Sequence, residues 1–335
     1  MPAALLSSLS YAIANITDAL LIGDCYNHRR SQPLFISCVL GAIMGSALTI
    51  VLMRVYDVPL TPIFQTGLWS CVLGVMVGLS LLHYFTAFSS SEKSPTEIAA
   101  YISATPIAVL VVSWVVFAAG IPMAGNDFSL QQVLWVLLGG IGLMLFSIAN
   151  GKFSDSKDVN TLHRSRRYRL HLFLLLLWGG IYYVGFSIVL QYAQTSFVGE
   201  SNPELLATLS VLPYFWVGLL LVGLADMIRP GEASAFVTNA HTIKRYFPYI
   251  ILVEVFGMLV FFFEILALSF IRPEIVSIVV GGHIVLVWMV GILLRRLYRN
   301  MKTVTLNIEE AFPATERPLL QTSSLILIIG ALWFL

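Results

Sequence analysis

The chain has 335 residues, 58% of them hydrophobic and 11% charged, with a formal net charge of +1 and a mean hydropathy of +0.86. A soluble protein carries about 25% charged residues, so this chain has too little polar surface for a water-soluble fold. Its charge holds no basic stripe of the kind that binds nucleic acid, and Cys25, Cys38 and Cys71 lack the paired spacing of a metal knuckle or a disulfide framework.

An apolar stretch of about 20 residues crosses a membrane as a helix. Ten stretches qualify, near 3–22, 33–53, 64–88, 98–119, 130–149, 171–192, 204–225, 247–270, 275–294 and 318–335. The first lacks a basic leader and a small-residue cleavage site, so it reads as a span and not a cleaved signal. Of the 19 Lys and Arg, all but Arg54 and Arg272 fall in the loops that follow odd-numbered spans. Basic loops stay on the cytoplasmic side, which puts the odd loops inside and both termini outside, in what reads as a bacterial inner membrane.

In chain order, the first span carries Asn15, too deep for water and in need of a hydrogen-bond partner. Asp18, near the span's end, reads as an interfacial carboxylate. Gly41-Ala-Ile-Met-Gly45 and Gly74-Val-Met-Val-Gly78 are small-residue faces for close helix packing within the bundle. Tyr84 closes the third span. The fourth contains Tyr101, Ser103, Thr105 and Pro106, and a proline inside a span kinks it where neighbours or water satisfy the freed carbonyl. The fifth, glycine-rich and without an ionisable residue, reads as packing. Residues 151–170 form the longest polar stretch, and their RSRRYR cluster suits anionic headgroups.

The sixth span holds Trp178, Tyr182 and Tyr183. The eighth holds Glu254 and Glu264, ten residues or about 15 Å apart along the axis. A carboxylate in hydrocarbon costs at least a few kcal/mol, so such groups face a cavity or a partner. His283 falls near the middle of the ninth span, just after Gly281-Gly282. Each of these three also admits a plainer role, a satisfied polar side chain that fixes helix register.

The stretch YFTAFSSSEKSPTEIAAYISATPIAVLVVSWVVF (84–117) has a partner in FFEILALSFIRPEIVSIVVGGHIVLVWMVGILL (262–294). Ala87-Phe88-Ser89 matches Ala267-Leu268-Ser269, Glu97-Ile98 matches Glu274-Ile275, and the tenth span echoes the fifth. By this alignment Glu264 stands where Tyr84 stands, and His283 where Pro106 stands. The expectation is an all-α integral membrane protein of ten transmembrane helices, built as two inverted five-helix repeats, 1–150 and 171–335, joined by the basic loop 151–170. Inverted repeats place a site near the midplane in alternating-access carriers.

On Tyr84-Phe85-Thr86-Ala87-Phe88, Ile102-Ser103-Ala104-Thr105-Pro106-Ile107 and the glycine-rich fifth span, with weaker echoes at 263–268 and 274–290, the chain resembles the drug/metabolite transporter superfamily, specifically its ten-span EamA-type carriers. AAGIPMAGNDF replaces the Gly-Glu-Arg expected after the fourth span, and His283 replaces an expected proline. Members usually keep both termini inside, against the charge distribution here. The resemblance implies a secondary carrier whose cavity is lined by spans 1, 3, 4, 6, 8 and 9.

The residues themselves point to a site drawn from Glu264, Glu254, His283, Asn15, Tyr84, Tyr101, Thr105, Pro106, Trp178 and Tyr183. One of the carboxylates would carry a proton. Three intramembrane or interfacial carboxylates, one deep His and no basic run inside the spans suit amino acids or other small zwitterionic or cationic metabolites better than phosphate-rich solutes. No GxxxxGK[ST] motif is present, so energy would come from a gradient. No cofactor is expected, the partners are a small solute and the bilayer, and the chain would act as a monomer or homodimer. Neither HExxH nor a Ser/His arrangement supports an intramembrane enzyme. A lipid-linked substrate translocator, or a receptor or scaffold without transport, are the alternatives.

Overall fold

A computed structural model describes residues 1–25, 31–59, 66–90, 102–121, 129–150, 161–298 and 317–334. Among them the secondary structure is helical, with no strand. The helices are α1 (Pro2–Asp24), α2 (Ser31–Val55), α3 (Leu68–Ser90), α4 (Thr105–Ala118), α5 (Leu130–Asn150), α6 (Thr161–Gln194), α7 (Pro203–Met227), α8 (Glu232–Leu268), α9 (Pro273–Gly281), α10 (His283–Tyr298) and α11 (Pro318–Phe334).

Seven stretches are long and apolar enough to cross a membrane: α2, α3, α5, α6, α7, α8 and the α9–α10 pair. The protein is therefore a multi-pass helical membrane protein by length and composition. Of the other three expected spans, α1 has 23 residues, and the side chains at 18–20 and 22–24 lie outside the described residues. The other two, α4 and α11, are apolar with only 14 and 17 residues.

Two helices outrun their apolar stretches. The sixth begins at Thr161, inside the expected joining loop, and α8 begins at Glu232, fifteen residues before its expected start. At 37 residues α8 is about 55 Å long, far more than a bilayer needs. Its polar first turns are held by Ser31 Oγ donating to Glu232 and by Asn239 Nδ2 donating to the Cys25 carbonyl at 2.9 Å.

The two broken segments position the site. The expected fourth span does not run through Pro106 as a kinked helix. It turns at Ser103–Ala104 and restarts at Thr105, with Pro106 in the first turn, where its missing N–H costs nothing. The ninth span turns at Gly282 and restarts at His283. Each break leaves a carbonyl to satisfy, and the residue that opens the new helix caps it from three positions on. Thr105 Oγ1 donates to the Ile102 carbonyl at 2.6 Å, and His283 Nδ1 to that of Val280 at 2.7 Å. His283 and Thr105 thus each open the helix that follows a break and each cap the carbonyl three residues earlier.

The main packing pairs are α1–α8, α3–α6, α3–α7, α2–α7, α2–α8, α4–α6, α4–α9, α5–α11, α6–α7, α4–α5 and α1 with both α9 and α10. Exchanging the two halves turns α1–α8 into α6–α3, α3–α7 into α8–α2, and α4–α6 into α9–α1, and it returns α2–α7, α4–α9 and α5–α11 to themselves. The α6–α7 and α4–α5 contacts have no such counterpart among the main pairs. Small residues permit the central crossings. A Cβ on Gly218 would lie 2.0 Å from the Cys71 carbonyl oxygen, and one on Gly74 2.1 Å from that of Phe215, so α3 and α7 meet backbone to backbone. Gly45 leaves room for the Trp216 ring. The fifth helix and α11 pack on each other through stacked Trp135 and Phe334, 4.4 Å between ring centroids.

Candidate functional site: a polar cavity between the halves

A cavity of about 190 Å³ lies where the broken segments meet α1, α2, α3, α6, α7 and α8. Ile102 and Thr105 line it beside the first break, and Val280, Gly281 and His283 beside the second. Eight of the ten residues singled out from the sequence line this one space: Asn15, Tyr84, Thr105, Trp178, Tyr183, Glu254, Glu264 and His283. Pro106 is buried outside the lining, against α5 near Gly140. Tyr101 lies outside the described residues, as does the side chain of Asp18.

Glu264 is 4% exposed and held by two adjacent tyrosines of α6. Tyr182 donates to Oε2 at 3.2 Å, and Tyr183 donates to Oε1. The rings stand nearly perpendicular, their centroids 5.4 Å apart, so both hydroxyls reach one carboxylate from different directions. Such pairing lets a carboxyl group sit at membrane depth. Glu254, 6% exposed, accepts from Ser37 Oγ at 2.7 Å. Gly41 of α2 borders it, where a Cβ would lie in ordinary contact, 3.6 Å from Glu254 Oε2.

His283 is 3% exposed and stacks at a tilt on Tyr11, with ring centroids 4.2 Å apart. A carbonyl only accepts, so Nδ1 carries the proton given to Val280, and Nε2 of the neutral ring is an acceptor. The Trp178 indole N–H is buried and has no hydrogen-bond acceptor among the described residues. Among the described lining residues, Glu254 and Glu264 are the only acidic ones and no Lys or Arg is present.

The sequence reading missed two walls, α2 with Ser37 and Gly41 and α7 with Trp216 and Leu219. It also passed over Tyr182 and Tyr11. A signal existed for Ser37, a hydroxyl inside an apolar span in a chain with two buried carboxylates that need donors. No signal existed for Trp216, whose place follows from its bond to Thr49 Oγ1 at 3.1 Å on another helix. A second polar pair, His83 of α3 and His171 of α6, meets at 2.9 Å between Nδ1 atoms although 88 residues separate them.

No protein-family profile and no curated protein matches the chain. Fourteen chains of known structure do match. One, a crystal structure with 14% sequence identity, superposes with a TM-score of 0.61 over 98% of this chain and 96% of its own. At that identity the likeness is one of fold.

Proposed function

We propose that this protein is a secondary active transporter that carries small metabolites, such as amino acids or related zwitterionic or cationic solutes, by alternating access through the cavity at Glu264, Glu254 and His283. The observation that carries this reading is the meeting of two helix breaks at one buried polar space. Discontinuous helices around a central site are the usual construction of gradient-driven carriers, and a static receptor or scaffold has no use for them. The exchange pattern of most packing pairs supports two inverted five-span repeats, with α1, α4 and α11 as three spans beyond the seven identified by length and composition. Together with the sequence resemblance, it favours an EamA-type carrier. A volume of about 190 Å³ suits a solute better than a lipid-linked substrate.

In the mechanism that follows, α1, α4 and α6 rock against α8 and the α9–α10 segment, and one carboxylate takes a proton on one side and loses it on the other. Glu264 is the first choice, because two hydroxyl donors hold it without a fixed cation. The test is uptake into reconstituted vesicles under an imposed pH gradient. Glu264→Gln and Glu254→Gln keep size and polarity but cannot change charge. At least one is expected to abolish accumulation against the solute gradient while leaving exchange intact. Unchanged accumulation in both would sink proton coupling.

A further inference from the structure

The charges and donors around the cavity divide the candidate solutes sharply. We propose that the site selects a small organic cation, an amine of about one ring's size that carries a hydrogen-bond acceptor, and rejects zwitterionic amino acids; this rests on the carrier reading and narrows it.

The first argument is charge. The described lining supplies Glu254 and Glu264 and no Lys or Arg. An ammonium entering here meets carboxylates, whereas the carboxylate of an amino acid would be desolvated with no cation to receive it. The donated proton of His283 is not available either, since Nδ1 gives it to the Val280 carbonyl. A carboxylate offers about four lone-pair sites, and Tyr182 and Tyr183 take one on each oxygen of Glu264. The rest can accept from a solute N–H.

The second argument is the wall. Tyr11, Tyr84, Trp178, Trp216 and Phe261 line the same space, and aromatic rings attract cations, the more so away from water. A ring-bearing amine gains contact and charge stabilisation together.

The third is independent of charge. The Trp178 N–H is buried with no acceptor among the described residues, and such a group costs about 1–3 kcal/mol until something accepts from it. Trp178 and Tyr182 are four residues apart on α6 and so lie one turn apart, about 6 Å. The solute's acceptor therefore sits about one helical turn from the end that meets Glu264. The space of about 190 Å³ compares with an engineered cavity of about 150 Å³ that holds benzene, which leaves room for a ring and a short chain.

The experiment uses the purified full-length protein and four probes of matched size. They are 2-phenoxyethylamine, its carbon isostere 3-phenylpropylamine, phenylalanine and 3-phenylpropionate. Binding is read by calorimetry in detergent and movement by uptake into proteoliposomes. Both amines are expected to bind about tenfold or more tightly than phenylalanine or the anion, and the ether-bearing amine about threefold or more tightly than its isostere. Trp178→Phe, which keeps a ring and removes the N–H, is expected to erase the ether's advantage over its carbon isostere, read as the ratio of the two amine affinities. Glu254→Gln with Glu264→Gln is expected to reduce amine affinity about tenfold or more. Binding of phenylalanine or the anion as tight as that of the amines, or binding by neither amine, overturns the cation assignment. An ether advantage that survives Trp178→Phe overturns the acceptor assignment. Amines that bind but do not enter vesicles would refute the carrier reading and leave the binding class standing. Uptake of phenylalanine with no uptake of amines would do the reverse.

Discussion

At the scale of single residues, the cavity depends on how two acidic side chains find hydroxyl donors. Glu264 uses neighbouring tyrosines on α6, so adjacent sequence positions deliver two donors to one group. Glu254 uses a serine from another helix. The difference predicts unequal responses to mutation. Tyr183→Phe removes the donor to Oε1 and leaves a buried carboxylate oxygen short of a partner, an expected loss of about 1–3 kcal/mol. In a Glu264→Gln background the same change should cost measurably less, because the amide is neutral and cheaper to leave unpaired. A double-mutant cycle on thermal unfolding reads that difference as a coupling energy. Equal costs in the two backgrounds would mean that Tyr183 only fills space.

At the scale of elements, the informative features are close crossings and breaks. The α3–α7 contact leaves no room for a side chain at Gly218, where a Cβ would fall 2.0 Å from a carbonyl oxygen. Backbone cannot give way as a flexible side chain can, so Gly218→Ala forces the helices apart. The expected cost is about 1–3 kcal/mol, as for other overpacked sites, seen as a lower melting temperature in detergent. Gly330→Ala is the control, since its nearest neighbour is 3.9 Å away and it should change little. The breaks show where sequence reading stops. Hydropathy finds the apolar segments because crossing a membrane requires them. It also finds Glu254, Glu264 and His283, because polar groups inside such segments stand out. It cannot find the start of α8 at Glu232, since a polar helix outside the bilayer has no hydropathy signal. Nor can it tell that Thr105 and His283 each open a new helix, because that rests on one capping bond at each break. Ser37 and Tyr182 escaped for a related reason. Which face of a span looks inward depends on helix rotation, and apolar residues all round these helices hide it.

At the scale of the whole molecule, the charge distribution predicts which way the cavity's ends face. The loops after odd-numbered spans hold nearly all of the Lys and Arg, and anionic lipid with the membrane potential keeps such loops inside. The described structure adds that α6 and α8 both extend beyond their apolar stretches on this basic side, each by two or more turns. Translocating two charged helical extensions would add to the cost, so the extensions and the basic loops argue for the same orientation. The measurement is cysteine labelling of intact cells with a membrane-impermeant maleimide, after Cys25, Cys38 and Cys71 are replaced. Glu200→Cys, in the exposed turn between α6 and α7, is expected to react from outside. Ser156→Cys, in the basic loop joining the halves, is expected to react only after the membrane is opened. The reversed pattern would place both termini in the cytoplasm. It would also reverse which end of α8 meets the cytoplasm.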